Sequence, residues 1–223
     1  VVSALIMILF LSGRMTAKAQ EIFDAVKNND VAKVKQLLGN NASWISLKDA
    51  SGNTPLHRAA GIGSLPITEL LLSRGAEINA TNTELNTPLH VAVQNGRDEI
   101  SKFLIKNGAD LNKHNVSGNT PLHFAALHNR RAIAEALISK GADIESLNIQ
   151  QYTPLGLIAR STESDEVAEF LIQKGANINV RDAAGRTPLN NAVLYSSDRI
   201  IDMLLDHKAE IGLEPRFLWL MLY

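Results

Sequence analysis

The chain has 223 residues with 22 Lys plus Arg against 23 Asp plus Glu, a near-neutral balance that argues against a basic nucleic-acid-binding domain and against a polybasic membrane-surface domain. With 45% hydrophobic and 20% charged residues it is globular rather than disordered, and with 5% aromatics its core must come from Ala, Leu, Ile and Val. Cysteine is absent, which excludes disulfides, thiolate zinc sites, iron–sulfur clusters and a cysteine nucleophile while leaving the compartment open.

Residues Val1 to Leu11 form an almost unbroken apolar run. It is shorter than the roughly 20 residues a helix needs to cross a bilayer. Ala17-Lys18-Ala19 follows, and a short apolar run ending in A-x-A is the layout of a secretory signal peptide. This predicts loss of residues 1–19 and a mature chain that is periplasmic or secreted. No basic segment precedes the run, and translation from Met15 is the alternative, which would leave the protein cytoplasmic.

Residues 20–48 predict two helices: Ile22 to Asn29 carries one apolar stripe and Val31 to Leu38 another. From residue 49 onward a repeat organises the sequence. Thr-Pro-Leu starts at Thr54, Thr87, Thr120, Thr153 and Thr187, at intervals of 33, 33, 33 and 34. A second ladder keeps the same phase at Gly75-Ala76, Gly108-Ala109, Gly141-Ala142 and Gly175-Ala176. The repeats run 49–81, 82–114, 115–147, 148–181 and 182–214, leaving an apolar tail at 215–223.

Each repeat reads as helix, turn, helix, loop. Thr54 is an N-cap and Pro55 the first helical residue. Leu56, Ala59 and Ala60 give a short helix with a thin face, which Gly63 ends in the left-handed conformation. A second helix begins at Leu65-Pro66 and carries Ile67, Leu70 and Leu71 at helical spacing. One repeat cannot bury its apolar face, but stacked repeats can.

Asp49-Ala50-Ser51-Gly52-Asn53-Thr54-Pro55-Leu56-His57-Arg58-Ala59-Ala60, with the downstream Gly-Ala ladder, resembles the ankyrin repeat fingerprint over roughly residues 20–214. The resemblance implies an all-α solenoid of helix-turn-helix units joined by β-turn finger loops. Residues 20–48, which lack Thr-Pro, would be a degenerate N-terminal capping repeat with a polar outer face. Departures from the fingerprint carry expectations too. Leu85 and Gln151 replace the turn glycine, so those two turns are expected to differ in shape. Gly156 and Asn190 replace the motif histidine, an extra residue lies near Ser161 to Ser164, and Lys208 stands where glycine caps the other repeats.

No chemistry of catalysis emerges. His57, His90 and His123 recur once per repeat, which stacks them about 10 Å apart. Zinc needs ligands at about 2.1 Å, so such a column cannot share an ion. The resemblance implies that these histidines instead bond backbone between adjacent loops. There is no phosphate-binding glycine motif. Asp24, Asp30, Asp49 and Asp182 read as turn or capping carboxylates. Glu163, Asp165 and Glu166 open a helix, where their charge suits its dipole, and calcium there is a minor alternative. The expectation is no catalytic residue, no cofactor and no metal.

What the framework leaves variable is the loop tips and first-helix ends, the layout of a binding protein. The sequence therefore predicts a monomeric, non-enzymatic protein–protein interaction module, with neither nucleic acid nor membrane as partner of the mature domain. A regulatory segment of a longer protein with an enzymatic domain, or a membrane-tethered spacer, are the alternatives. The candidate partner-binding residues are Val116, Leu127, His128, Ile149, Tyr152, Arg160, Arg186, Leu194 and Tyr195. Among them Val116, Leu127, Ile149 and Tyr152 are expected to form one exposed apolar patch, because they stand where other repeats are mostly polar.

Overall fold

The computed structural model describes residues 17–160 and 165–211. The apolar leader, the inserted stretch near Ser161 to Ser164 and the C-terminal tail lie outside the described residues. Twelve α-helices and one 3-10 helix occur among the described residues, with no strand. The described residues pack into two compact bodies, divided between residues 110 and 111. The boundary falls within the second Thr-Pro-Leu repeat, after its second helix.

The first body holds α1 (Ala17–Lys27), α2 (Val31–Asn40), the 3-10 helix Ala42–Ser46, α3 (Pro55–Ile62), α4 (Leu65–Ser73), α5 (Pro88–Gln94) and α6 (Asp98–Lys106). Helices α1, α3 and α5 pack side by side, and α2, α4 and α6 form a second row. The first row is closely spaced because Ala59, Ala60 and Ala92 offer only methyl groups and are fully buried. Larger side chains seal the two rows together: Leu56, Ile67, Leu71, Leu89 and Leu104 are all at 0% exposure. Each such burial stabilises by about 1.5–3 kcal/mol. Residues 17–46 supply the first helix pair of this body and the 3-10 helix that follows it. Its helix α1 buries Ile22, Phe23, Ala25 and Val26 and turns Glu21, Asp24 and Lys27 outward. Asp30 caps α2 by accepting the Lys33 N–H at 2.8 Å.

The second body holds α7 (Pro121–Leu127), α8 (Arg131–Ser139), α9 (Pro154–Ile158), α10 (Asp165–Gln173), α11 (Pro188–Leu194) and α12 (Asp198–Asp206). The same two rows recur, α7-α9-α11 and α8-α10-α12. Its core is Leu122, Ile133, Leu137, Leu155, Ile158, Leu171, Ile200 and Leu204. Helix α9 is five residues, two fewer than α7 and α11, and ends in a turn at Ala159 and Arg160.

The Thr-Pro starts work as the sequence implies. Thr54 has an extended backbone, its hydroxyl accepts the His57 N–H at 3.4 Å, and Pro55 occupies the first helical turn. Gly63 ends α3 with φ of 88°. One expectation fails. Leu85 and Gln151 do not reshape their turns: their φ values, 56° and 59°, lie in the same left-handed region as 72° at Gly52. Their N–H groups still donate to the carbonyls of Asn82 and Asn148, at 3.0 and 2.9 Å. The finger's hydrogen bonds hold the conformation, so a side chain is strained into it rather than escaping it.

Candidate functional site

Every finger opens with a half-buried or buried Asp or Asn that organises the tip. The Oδ1 of Asn148 accepts the N–H groups of Gln150 and Tyr152, both at 3.0 Å. Asp49, Asn82, Asn115 and Asp182 do the same in their own fingers. Two donors that the turn would leave unpaired are thereby satisfied. Asp49 and Asp182 are turn carboxylates, as their positions imply. Neighbouring tips are joined by backbone: Ile149 N–H donates to the Ser117 carbonyl at 3.1 Å, and Ala183 N–H to that of Gln150 at 3.0 Å.

The motif histidines tie fingers to helices from below. The Nδ1 of His57 accepts the Thr54 N–H at 3.2 Å and is 2.8 Å from its hydroxyl, so the ring proton sits on Nε2 and donates to the Asn86 carbonyl at 2.9 Å. His123 repeats this with Thr120 and the Tyr152 carbonyl. Burial pushes both rings below the ordinary imidazole range, His123 to about 4. Neutral rings with both nitrogens committed are braces, not acid–base groups. No cluster of three metal-ligating side chains occurs among the described residues. Asp165 is instead bonded to Arg199 at 2.8 Å.

All nine candidate residues lie in the second body. Val116 and Ile149 are exposed on adjacent tips, at 49% and 65%. Leu127, Leu194 and Tyr195 are exposed at first-helix ends. His128 is exposed and lies parallel to Phe124, with ring centroids 6.3 Å apart.

Tyr152 corrects the expected patch of four. It is 5% exposed, so three of the four apolar side chains remain on the surface. In the first and third repeats the position before Thr-Pro faces the next repeat rather than solvent. At this position Asn53 and Asn119 accept from Asn82 and Asn148 of the following finger, at 2.9 and 3.0 Å. Tyr152 extends the rule: its hydroxyl accepts from Arg186 Nη2 at 3.0 Å, and its ring lies under Arg160, with 5.1 Å from Cζ to centroid. Burial raises the Tyr152 pKa.

Arg160, Arg186, Tyr152 and Tyr195 thus converge. Arg160 also covers the Tyr195 ring at 4.9 Å and donates to its hydroxyl at 3.0 Å. Arg186 pairs with Asp182, 3.1 Å away, whose side chain is 2% exposed. Asn191, buried on α11, donates to the same carboxylate at 3.0 Å. Burial works to raise the Asp182 pKa, but its hydrogen bonds to Arg186 and Asn191 outweigh it and hold it below the usual carboxylate value. Asp182 and Asn191 were not singled out as site residues by the sequence. Their signal was a charged turn residue and, nine positions on, a polar side chain on a helix face.

The family described as ankyrin repeats (3 copies) matches the chain over residues 22–115, 86–148 and 145–214. Similar curated proteins include the human ankyrin repeat domain-containing protein 49, 38% identical over 56 residues. The mouse 2-5A-dependent ribonuclease is 43% identical and the Latrodectus tredecimguttatus delta-latroinsectotoxin-Lt1a 41% identical, each over 56 residues. Each match covers 25% of this chain, and it spans 23%, 8% and 5% of those proteins in turn.

Proposed function

Because the chain belongs to the ankyrin repeat family, whose repeats are generally protein-interaction modules, we propose that it is a non-enzymatic binding protein whose partner docks on the tips and first-helix ends of residues 111–211. The observation that carries the reading is Ile149, 65% exposed beside Val116 on tips that are otherwise held rigid by buried Asx side chains. Exposed apolar groups on a fixed scaffold cost little ordering entropy on association. Affinity capture with the chain, followed by mass spectrometry, tests this. A Val116→Asp, Ile149→Asp double variant should keep its thermal midpoint and lose the captured protein. Equal capture by both forms would refute this surface.

We further propose export, with cleavage after Ala19. A cut there leaves the buried side chains Ile22, Phe23, Ala25 and Val26 of α1 in the mature chain. N-terminal sequencing of protein made from the full gene should begin at Gln20. A chain starting at Met15 and retained in the cytoplasm would overturn it.

A further inference from the structure

The cluster around Arg160 joins two departures from the repeat pattern to two positions that vary from repeat to repeat. Tyr152 and Arg186 stand where the earlier repeats carry Asn53, Asn86 and Asn119. Arg160 stands where Gly61, Gln94, Leu127 and Leu194 occur, and Tyr195 where Ile62, Asn95 and His128 occur. The two departures and the two variable side chains meet at one spot between the fourth and fifth repeats.

Charge distinguishes the two arginines. Arg186 is neutralised by Asp182, whereas Arg160 takes part in none of the ion pairs among the described residues. Arg160 is nevertheless exposed and fixed, held on the faces of Tyr152 and Tyr195 and hydrogen-bonded to the Tyr195 hydroxyl. A guanidinium has five N–H donors in a planar fork that matches a carboxylate. Cation–π contact orients the fork without neutralising it. Ordering a long side chain on binding normally costs conformational entropy, and here the rings have already ordered it.

We propose that Arg160 receives a side-chain carboxylate from an acidic segment of the protein partner, with an aliphatic neighbour of that residue resting on Leu194. This deepens the interaction reading and rests on it. A single cation that no described carboxylate pairs fits a monoanion. A phosphate dianion would call on a second, and Arg186 is already taken by Asp182. Leu194, 42% exposed and adjacent in sequence to Tyr195, supplies apolar surface beside the charge.

The test is selection of a random peptide display library on the full chain and on its Arg160→Gln and Arg160→Lys variants. Peptides from the unaltered chain should carry Asp or Glu at a fixed place next to an aliphatic residue. Synthetic representatives should bind Arg160→Gln about tenfold more weakly, with Arg160→Lys between, since the charge survives but the fork does not. All three proteins should unfold cooperatively, Arg160→Gln at a slightly lower midpoint because it loses its ring contacts. Enriched peptides without an acidic position, or equal binding to Arg160→Gln, would overturn the carboxylate assignment and leave the interaction reading standing. Enrichment of no peptide by any form would overturn both.

Discussion

The Nε2–H of His123 donates to the backbone carbonyl of Tyr152, 3.0 Å away and 29 residues along the chain. One bond therefore joins the start of α7 to the finger of the following repeat. The ring is fully buried, and its Nδ1 accepts the Thr120 N–H. A proton added to Nδ1 would face that donor and break the arrangement.

Stability should fall with acid in a defined window. The His123 pKa drops from 6.5 unfolded to about 4 folded. Between those values the unfolded state binds a proton that the folded state does not. The contribution is complete above pH 6.5 and is lost as the pH falls through about 4. The shift corresponds to about 3 kcal/mol at about 1.4 kcal/mol per pH unit. His57, also lowered, acts in the same direction. Asp49 and Asp182, lowered from 3.8, lose their contributions only below that value. Urea unfolding at a series of pH values should show the decline between pH 6.5 and 4, and His123→Gln should flatten it. An unchanged slope in that variant would exclude His123 as its source.

Tyr152 should behave as framework. Tyr152→Phe removes the acceptor for Arg186 and should cost about 1 kcal/mol. Tyr152→Ala empties the space under Arg160 as well and should cost about 3 kcal/mol. The His123 bond is to the backbone, so it does not distinguish the two variants. Denaturant midpoints at pH 7 measure both. A neutral Tyr152→Ala would mean that the ring lies outside the packed core.

The repeat phase, helix starts and capping cycle were legible because they are local. Thr-Pro, a following apolar pair and a spaced Gly-Ala specify one repeat each, while the brace role of His57 and His123, 29 residues from their partners, was legible only through the family resemblance. The fate of Tyr152 was not legible. An aromatic residue at a finger looks exposed until the next repeat is laid against it, and its burial depends on Arg160 and Arg186, 8 and 34 residues away. The turns at Leu85 and Gln151 misled for a related reason. Local preference disfavours left-handed backbone there, but finger hydrogen bonds to Asn82 and Asn148 overrule it. Val116, Leu127 and Ile149 of the expected patch are exposed as read.

Gly118 and Gly185 offer a comparison in which backbone strain is constant and space is not. Their φ values are 74° and 77°, so Ala at either position carries the left-handed penalty of roughly 1 kcal/mol. A Cβ on Gly118 would lie 2.7 Å from the Ile149 backbone N and 3.0 Å from the Asn148 carbonyl carbon. Neither atom can rotate away, so adjacent fingers must separate and the bond from Ile149 N–H to the Ser117 carbonyl must lengthen. A Cβ on Gly185 meets no described atom within 4 Å. Gly118→Ala should therefore destabilise by about 1 kcal/mol more than Gly185→Ala, as expected when a hydrogen bond is lost in addition to strain. It should also raise the hydrogen-exchange rate of the Ile149 amide specifically. Equal costs for the two substitutions would show that the fingers are free to slide apart, and the rigid tip surface invoked for binding would fall with them.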